Sequence, residues 1–218
     1  MKLIIIMKKI NLNPQVIGST HAVVNKYNQL SLEELDTELV TIDAINSHNN
    51  IPNFRPKIHP KKHTVGTTSY LQTLQLKKGC RVMLTVNLDV KDSLSNGSIG
   101  TFMGLVKDEH TGVVRALMVH FDNVDSGEEM RRCHPHLVSN FPNCTPILKQ
   151  AHKYSTAKTS RGVKSNTATV FQFPLILSFA STTHKIQVRR GIDFNIAQLQ
   201  LSSAQLSWSG YYIVVYIA

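Results

Sequence analysis

The order of apolar and polar positions divides the chain into stretches of different period. Gln15 to Gly18 is a short apolar strand, after which Val23, Tyr27 and Leu30 recur at helical spacing behind Thr20 as N-cap. Ser31 and Glu34 form a capping-box pair that predicts a second run of helical turns. Strand followed by helix is α/β grammar. Between Asn46 and Thr68 the chain (NSHNNIPNFRPKIHPKKHTVGT) is rich in Asn, Pro, His and Lys and has no period, which predicts a loop or inserted connection. Leu76 to Asp89 (LKKGCRVMLTVNLD) then alternates partly, and Ser98–Leu105 and Val113–Phe121 are strand-like. Turns at Ser95-Asn96-Gly97 and at Glu109 to Gly112 separate them. Short strands at this spacing predict a small β-barrel.

Beyond residue 130 the pattern changes twice. Residues 131–168 are polar, basic and turn-rich, as an exposed loop or linker is. Phe171 to Ala180 (FQFPLILSFA) is nearly continuous apolar sequence, as in a buried parallel strand or the start of a buried helix. Tyr211 to Ala218 is apolar again and predicts a last buried strand of a truncated domain. The expected fold is α/β, a partial parallel sheet carrying an inserted small β-barrel. Its expected divisions are residues 1–75, the barrel at 76–130, the basic connection at 131–168, and the rest of the sheet at 169–218.

Composition narrows the class. The 218 residues are 42% hydrophobic and 17% charged, a globular balance rather than that of a disordered tail or a membrane bundle. Net charge is +10, and the ten basic residues from Arg131 to Arg190 face no acid in that interval, so the whole excess lies there. Such a balance favours polyanionic partners. Lys8 and Lys9 interrupt the apolar start MKLIIIMKKI too early for a signal h-region, and three cysteines are no disulfide framework. Both features predict an intracellular, reducing compartment and no membrane partner.

Several chemistries are missing. No glycine precedes a lysine and no two glycines are spaced by one residue, which excludes the phosphate-binding P-loop and the dinucleotide fingerprint. Ala116 to Asp122 (ALMVHFD) mimics a strand ending in a metal-binding carboxylate, yet without a P-loop it reads as a barrel strand and turn. Cys133, His134, His136 and Cys144 do not have the spacing of a tetrahedral zinc site, so no metal is expected. At the end of the apolar strand stand Thr182, Thr183, His184, Lys185 and Gln187. Their side chains can all donate to phosphate oxygens. From composition alone, phosphate contact and a solvated polar turn are equally good readings.

Phe173, Pro174, Leu175, Leu177, Ala180, Thr183, His184, Lys185 and Gln187 resemble motif V of the Pif-type and RecD-like superfamily-one DNA helicases. LKKGCRVMLTVNLD, with Leu94-Ser95-Asn96-Gly97 and Gly100-Thr101, resembles that family's inserted SH3-like barrel, and residues 20–28 (THAVVNKYN) with Asp43 resemble the opening of its second motor domain. The resemblance implies a RecA-like second motor domain with an inserted barrel, and single-stranded DNA as partner. It implies DNA contacts from Thr182, Thr183, His184, Lys185, Gln187, Arg189 and Arg190 and from Lys77, Lys78 and Arg81. Thr183, Lys185, Gln187 and Gly191 would couple DNA to nucleotide. It also implies roles in DNA repair, recombination and telomere maintenance, and a nuclear or mitochondrial site in a eukaryote.

The chain departs from the family where Val188-Arg189-Arg190 separate Gln187 from Gly191. It also stops before the arginine expected after the last strand, and it lacks the first motor domain. ATP and Mg2+ therefore belong to a complete helicase, and this chain is expected to be inactive alone. Two other expectations compete: a non-enzymatic nucleic-acid-binding barrel, and a decayed transposon product without a stable fold.

Overall fold

In the computed structural model, residues 15–18, 21–48, 53–60, 62–155, 167–182 and 212–215 are described. They form a mixed α/β structure with antiparallel pairing dominant, divided into two compact units: residues 1–31 with 178–218, and residues 32–177. Among the described residues no helix is long and apolar enough to cross a membrane.

The first unit contains strands β1 (Gln15–Gly18), β12 (Ala180–Thr182) and β13 (Tyr212–Val215) in the order β12-β1-β13. β1 runs parallel to β12 and antiparallel to β13. Helix α1 (His21–Glu33) follows β1, and its Val24 and Tyr27 pack on Ala180. This is one continuous helix where two were expected, with Ser31 buried inside it rather than capping a second. Its buried stripe is Val24, Asn28, Ser31 and Leu32, while Leu30 is half exposed. Two polar residues occupy that stripe, and this puts the apolar pattern out of phase with the true inner face.

The second unit holds three sheets. β2 (Leu39–Asp43) pairs with β4 (Thr73–Lys77). β3 (Ile45–His48), β10 (Thr167–Gln172) and β9 (Gln150–Ser155) form an antiparallel sheet with β10 central. The largest sheet has the order β11 (Leu175–Leu177), β5 (Arg81–Leu84), β6 (Ile99–Lys107), β7 (Val114–Phe121) and β8 (Thr145–Leu148). Gly79, at φ 91°, makes the turn that breaks the expected Leu76–Asp89 run into β4 and β5. In β7, four consecutive residues, Ala116 to Val119, are fully buried. Ala116 and Met118 pack with Leu137 and Cys144, so one face of this strand is covered from the basic segment.

Two expectations fail here for identifiable reasons. Residues 131–155 are built into α2 (Glu128–Cys133), α3 (Pro135–Val138), β8 and β9 rather than forming a bare linker, because Leu137, Cys144, Ile147 and Tyr154 are buried. The run 171–180 is not one parallel strand but the end of β10, all of β11 and the start of β12, in three different sheets. Pro174 cannot donate to a ladder and interrupts the run. Gln172, fully buried, ties this break in place: its Nε2 donates to Ile42 O (3.1 Å) and Leu71 O (3.3 Å), and Phe173 N donates to its Oε1 (2.9 Å).

Candidate nucleic-acid interface

The parallel pair defines the first candidate region. Register Val16↔Ala180, Ile17↔Ser181 and Gly18↔Thr182 brings the carboxyl ends of β1 and β12 level. In α/β sheets that end is where ligand-contacting groups gather. Asn28 of α1 grips β12 by both backbone groups of one residue: Ala180 N donates to Asn28 Oδ1 (2.7 Å), and Asn28 Nδ2 donates to Ala180 O (3.2 Å). The groups are buried, so this amide satisfies backbone polar groups that are shielded from water. Ser178, just before β12, and Ser181 on it are both buried and bring their hydroxyls to 3.3 Å of each other. Thr182 ends β12. Thr183, His184, Lys185, Gln187, Arg189, Arg190 and Gly191 lie outside the described residues.

The cations expected on the barrel edge have different surroundings. Lys77, half-buried, donates from Nζ to Leu35 O (2.8 Å) and Glu33 O (3.4 Å), binding carbonyls at the carboxyl end of α1. Lys78 is exposed, and its own carbonyl accepts the Thr37 hydroxyl (3.1 Å). Arg81 forks onto Asp122, with Nη1 2.8 Å from Oδ1 and Nη2 paired with Oδ2, and Nη1 also donates to Thr101 Oγ1 (2.9 Å). This fork joins the edge of β5 to the turn after β7 and keeps the Arg81 side chain 17% exposed. Asp122 is the carboxylate that mimicked a metal-binding strand end, and here it serves the fork.

The basic stretch divides in the same way. Arg131 donates from Nη1 to Ser126 O and Thr145 Oγ1, both at 2.8 Å, and Arg132 pairs with Glu129. Lys149 lies 5.3 Å over the Phe173 ring. Lys153 is exposed on β9. Asp92, buried, accepts the amides of Glu129 (2.9 Å) and Met130 (3.0 Å) and so holds α2 to the turn before β6. Gly127 precedes α2 at φ 80°, where a Cβ would strike Thr145.

The cysteines are separated. Cys80 and Cys144 are buried, and burial pushes the Cys80 thiol up to about 11 and that of Cys144 upward as well. Cys133 is exposed, and donation of its thiol to Glu129 Oε1 (3.4 Å) raises it. His134 and His136 stand edge to face at 6.1 Å. Among the described residues no three His, Cys, Asp or Glu side chains converge as a metal site would require. Sequence reasoning missed Asn28 and Gln172; their signal was a polar residue at an otherwise apolar phase.

No family model matches the chain. It is 23% identical over 192 residues, 79% of its length, to the ATP-dependent DNA helicase PIF7 of Trypanosoma brucei brucei (strain 927/4 GUTat10.1). Among solved structures it is similar to unliganded Pif1 from Bacteroides sp (21% identity, TM-score 0.48), covering 77% of this chain and 30% of that one. Pif1 helicase from Candida albicans is similar at 19% identity and TM-score 0.48, over 78% of this chain and 35% of that one. Bacteroides Pif1 bound to ssDNA matches at 23% and 0.47, over 78% and 31%. The resemblance to Pif-type DNA helicases thus recurs in the curated relative, over most of this chain. The chain spans 16% of the curated relative and 30 to 35% of these solved chains.

Proposed function

We propose that this chain is a portion of a Pif-type DNA helicase that contributes single-stranded DNA contact and its coupling to nucleotide in a complete motor. The observation that supports it is the parallel β1–β12 pair, whose carboxyl ends lie level at Gly18 and Thr182 directly before the sequence Thr183-His184-Lys185-Ile186-Gln187. In this reading Lys185 supplies a point charge to the DNA backbone, Thr182, Thr183, His184 and Gln187 donate to phosphate or sugar oxygens, and Arg189 and Arg190 add attraction. Thr183, Lys185, Gln187 and Gly191 transmit the state of the nucleotide bound by the complete motor. Lys78 assists from the turn between β4 and β5. The complete protein acts in DNA repair, recombination and telomere maintenance, in the nucleus or mitochondrion of a eukaryote.

The reading of a self-sufficient small barrel has less support. Residues 76–137 exclude β8 and β11, which pair with β7 and β5.

The test is fluorescence anisotropy of the full 218-residue chain with a labelled oligo(dT) across a salt series. Binding should weaken with salt at a log–log slope of roughly −0.7 per neutralised phosphate. Lys185→Ala with Gln187→Ala should weaken binding beyond the loss of one charge and leave the unfolding midpoint unchanged. Unaltered affinity in that double variant would refute the assignment. DNA-stimulated ATP hydrolysis by the chain alone would refute its dependence on a second motor domain.

A further inference from the structure

The sheet β3-β10-β9 has one face on a core and one face open. Ala168 and Val170 of β10 and Tyr154 of β9 point inward, where they pack with Ala44, Val65 and Tyr70. Strand alternation sends the intervening residues outward. The register sets them in rows across the three strands. Phe171 lies between Ile45 and Ala151, and the next row places Thr169 between Ser47 and Lys153. Phe171 is 37% exposed and Ile45 58%, while Ser47, Ala151 and Lys153 are exposed as well.

We propose that this open face is a second contact surface for single-stranded nucleic acid, a proposal that rests on the single-strand reading above and adds to it a stacking platform. Three features favour that occupant. The aromatic ring of Phe171 is presented at the centre of a sheet, where a base can stack on it whatever its identity. The adjacent row offers an ammonium and two hydroxyls, and rows two residues apart along a strand are separated by about 6.8 Å, within the reach of a lysine from a stacked base to its phosphate. No carboxylate occurs anywhere in residues 45–48, 150–155 or 167–172. A protein partner would want a larger apolar patch than Phe171 and Ile45 provide, since hydroxyls and a cation make up the rest of the face.

The experiment uses the full chain with Trp208→Phe, which removes its single tryptophan, and Phe171→Trp as a fluorescent reporter. Oligo(dT) and oligo(U) serve as probes at low salt. Stacking quenches the reporter on binding. In the otherwise native chain Phe171→Leu keeps an apolar strand residue but removes the ring, and should lower affinity about tenfold. Lys153→Ala should reduce the salt slope by about 0.7. Because both side chains are exposed, circular dichroism midpoints should stay unchanged. If Lys185→Ala with Gln187→Ala weakens binding while Phe171→Leu does not and the reporter is not quenched, this surface is refuted and the wider reading survives. If the native chain binds neither oligonucleotide, both fall. A change in oligomeric state on Phe171→Leu with unchanged affinity would assign the face to self-association and overturn the proposal.

Discussion

Asn28 is the most informative residue to perturb, because a single side chain holds the strand that leads into the candidate interface. Asn28→Leu preserves approximate volume and suits a helix, but it removes the acceptor for Ala180 N–H and the donor to Ala180 C=O. Ala180 is 2% exposed, so water does not replace the amide without cost. A buried N–H left unpaired costs roughly 1–3 kcal/mol, and the carbonyl about 1 kcal/mol because its second lone pair remains available. The better helix propensity of Leu returns about 0.5 kcal/mol. The expected net loss is about 1.5–3.5 kcal/mol, a roughly ten- to three-hundredfold change in the local opening equilibrium at about 1.4 kcal/mol per factor of ten. Native-state hydrogen exchange should show the Ala180 amide exchanging faster by that factor, and urea unfolding followed by circular dichroism should show a lowered midpoint. Lys26→Leu, on the exposed face of the same helix, should change stability by no more than about 0.5 kcal/mol and serves as the control. Unchanged protection of the Ala180 amide in Asn28→Leu would refute the idea that this side chain clamps β12.

Two further outcomes follow from the geometry. In the folded chain an aromatic disulfide reagent should label Cys133 alone, with Cys80 and Cys144 reacting only after denaturation; Glu129→Gln should accelerate Cys133, because the carboxylate is what raises its thiol, and rapid native labelling of two cysteines would contradict the burial described. The Asp108 carboxyl is held below the usual aspartate range, first by the Thr111 amide (2.9 Å) and then by the Thr111 hydroxyl (2.9 Å). Its stabilisation of the β6–β7 turn is present above the ordinary aspartate value and lost as pH falls through the lower folded one. Thr111 amide protection should therefore decline only in acid below that ordinary value, and Asp108→Asn should abolish this pH dependence.

Local pattern located several elements closely. β1 is where its apolar run predicts, and β6 and β7 fall within two residues of the expected strands. Strands of a hairpin inform on themselves, since each carries its own periodicity and turn. Helix α1 was legible as a helix but not in phase, because Asn28 and Ser31 are buried for reasons that lie on another segment. Likewise the charge of Lys77, Arg81 and Arg131 was visible, whereas their commitment to Leu35 O, Asp122 and Thr145 was not. A cation on the surface of a basic protein and one spent on internal structure look identical until the acceptor is located.

By itself the sequence determined the α/β character, the long β6–β7 hairpin, the acid-free basic stretch and the absence of a P-loop, all properties of residues near one another in the chain. Tertiary structure decided that FQFPLILSFA is shared among three sheets, that β11 pairs with β5 and that Asn28 meets Ala180 across 152 positions. Hydrogen-bond partners of buried backbone groups are chosen by proximity in space, and periodicity within one segment carries no record of which distant segment will supply them.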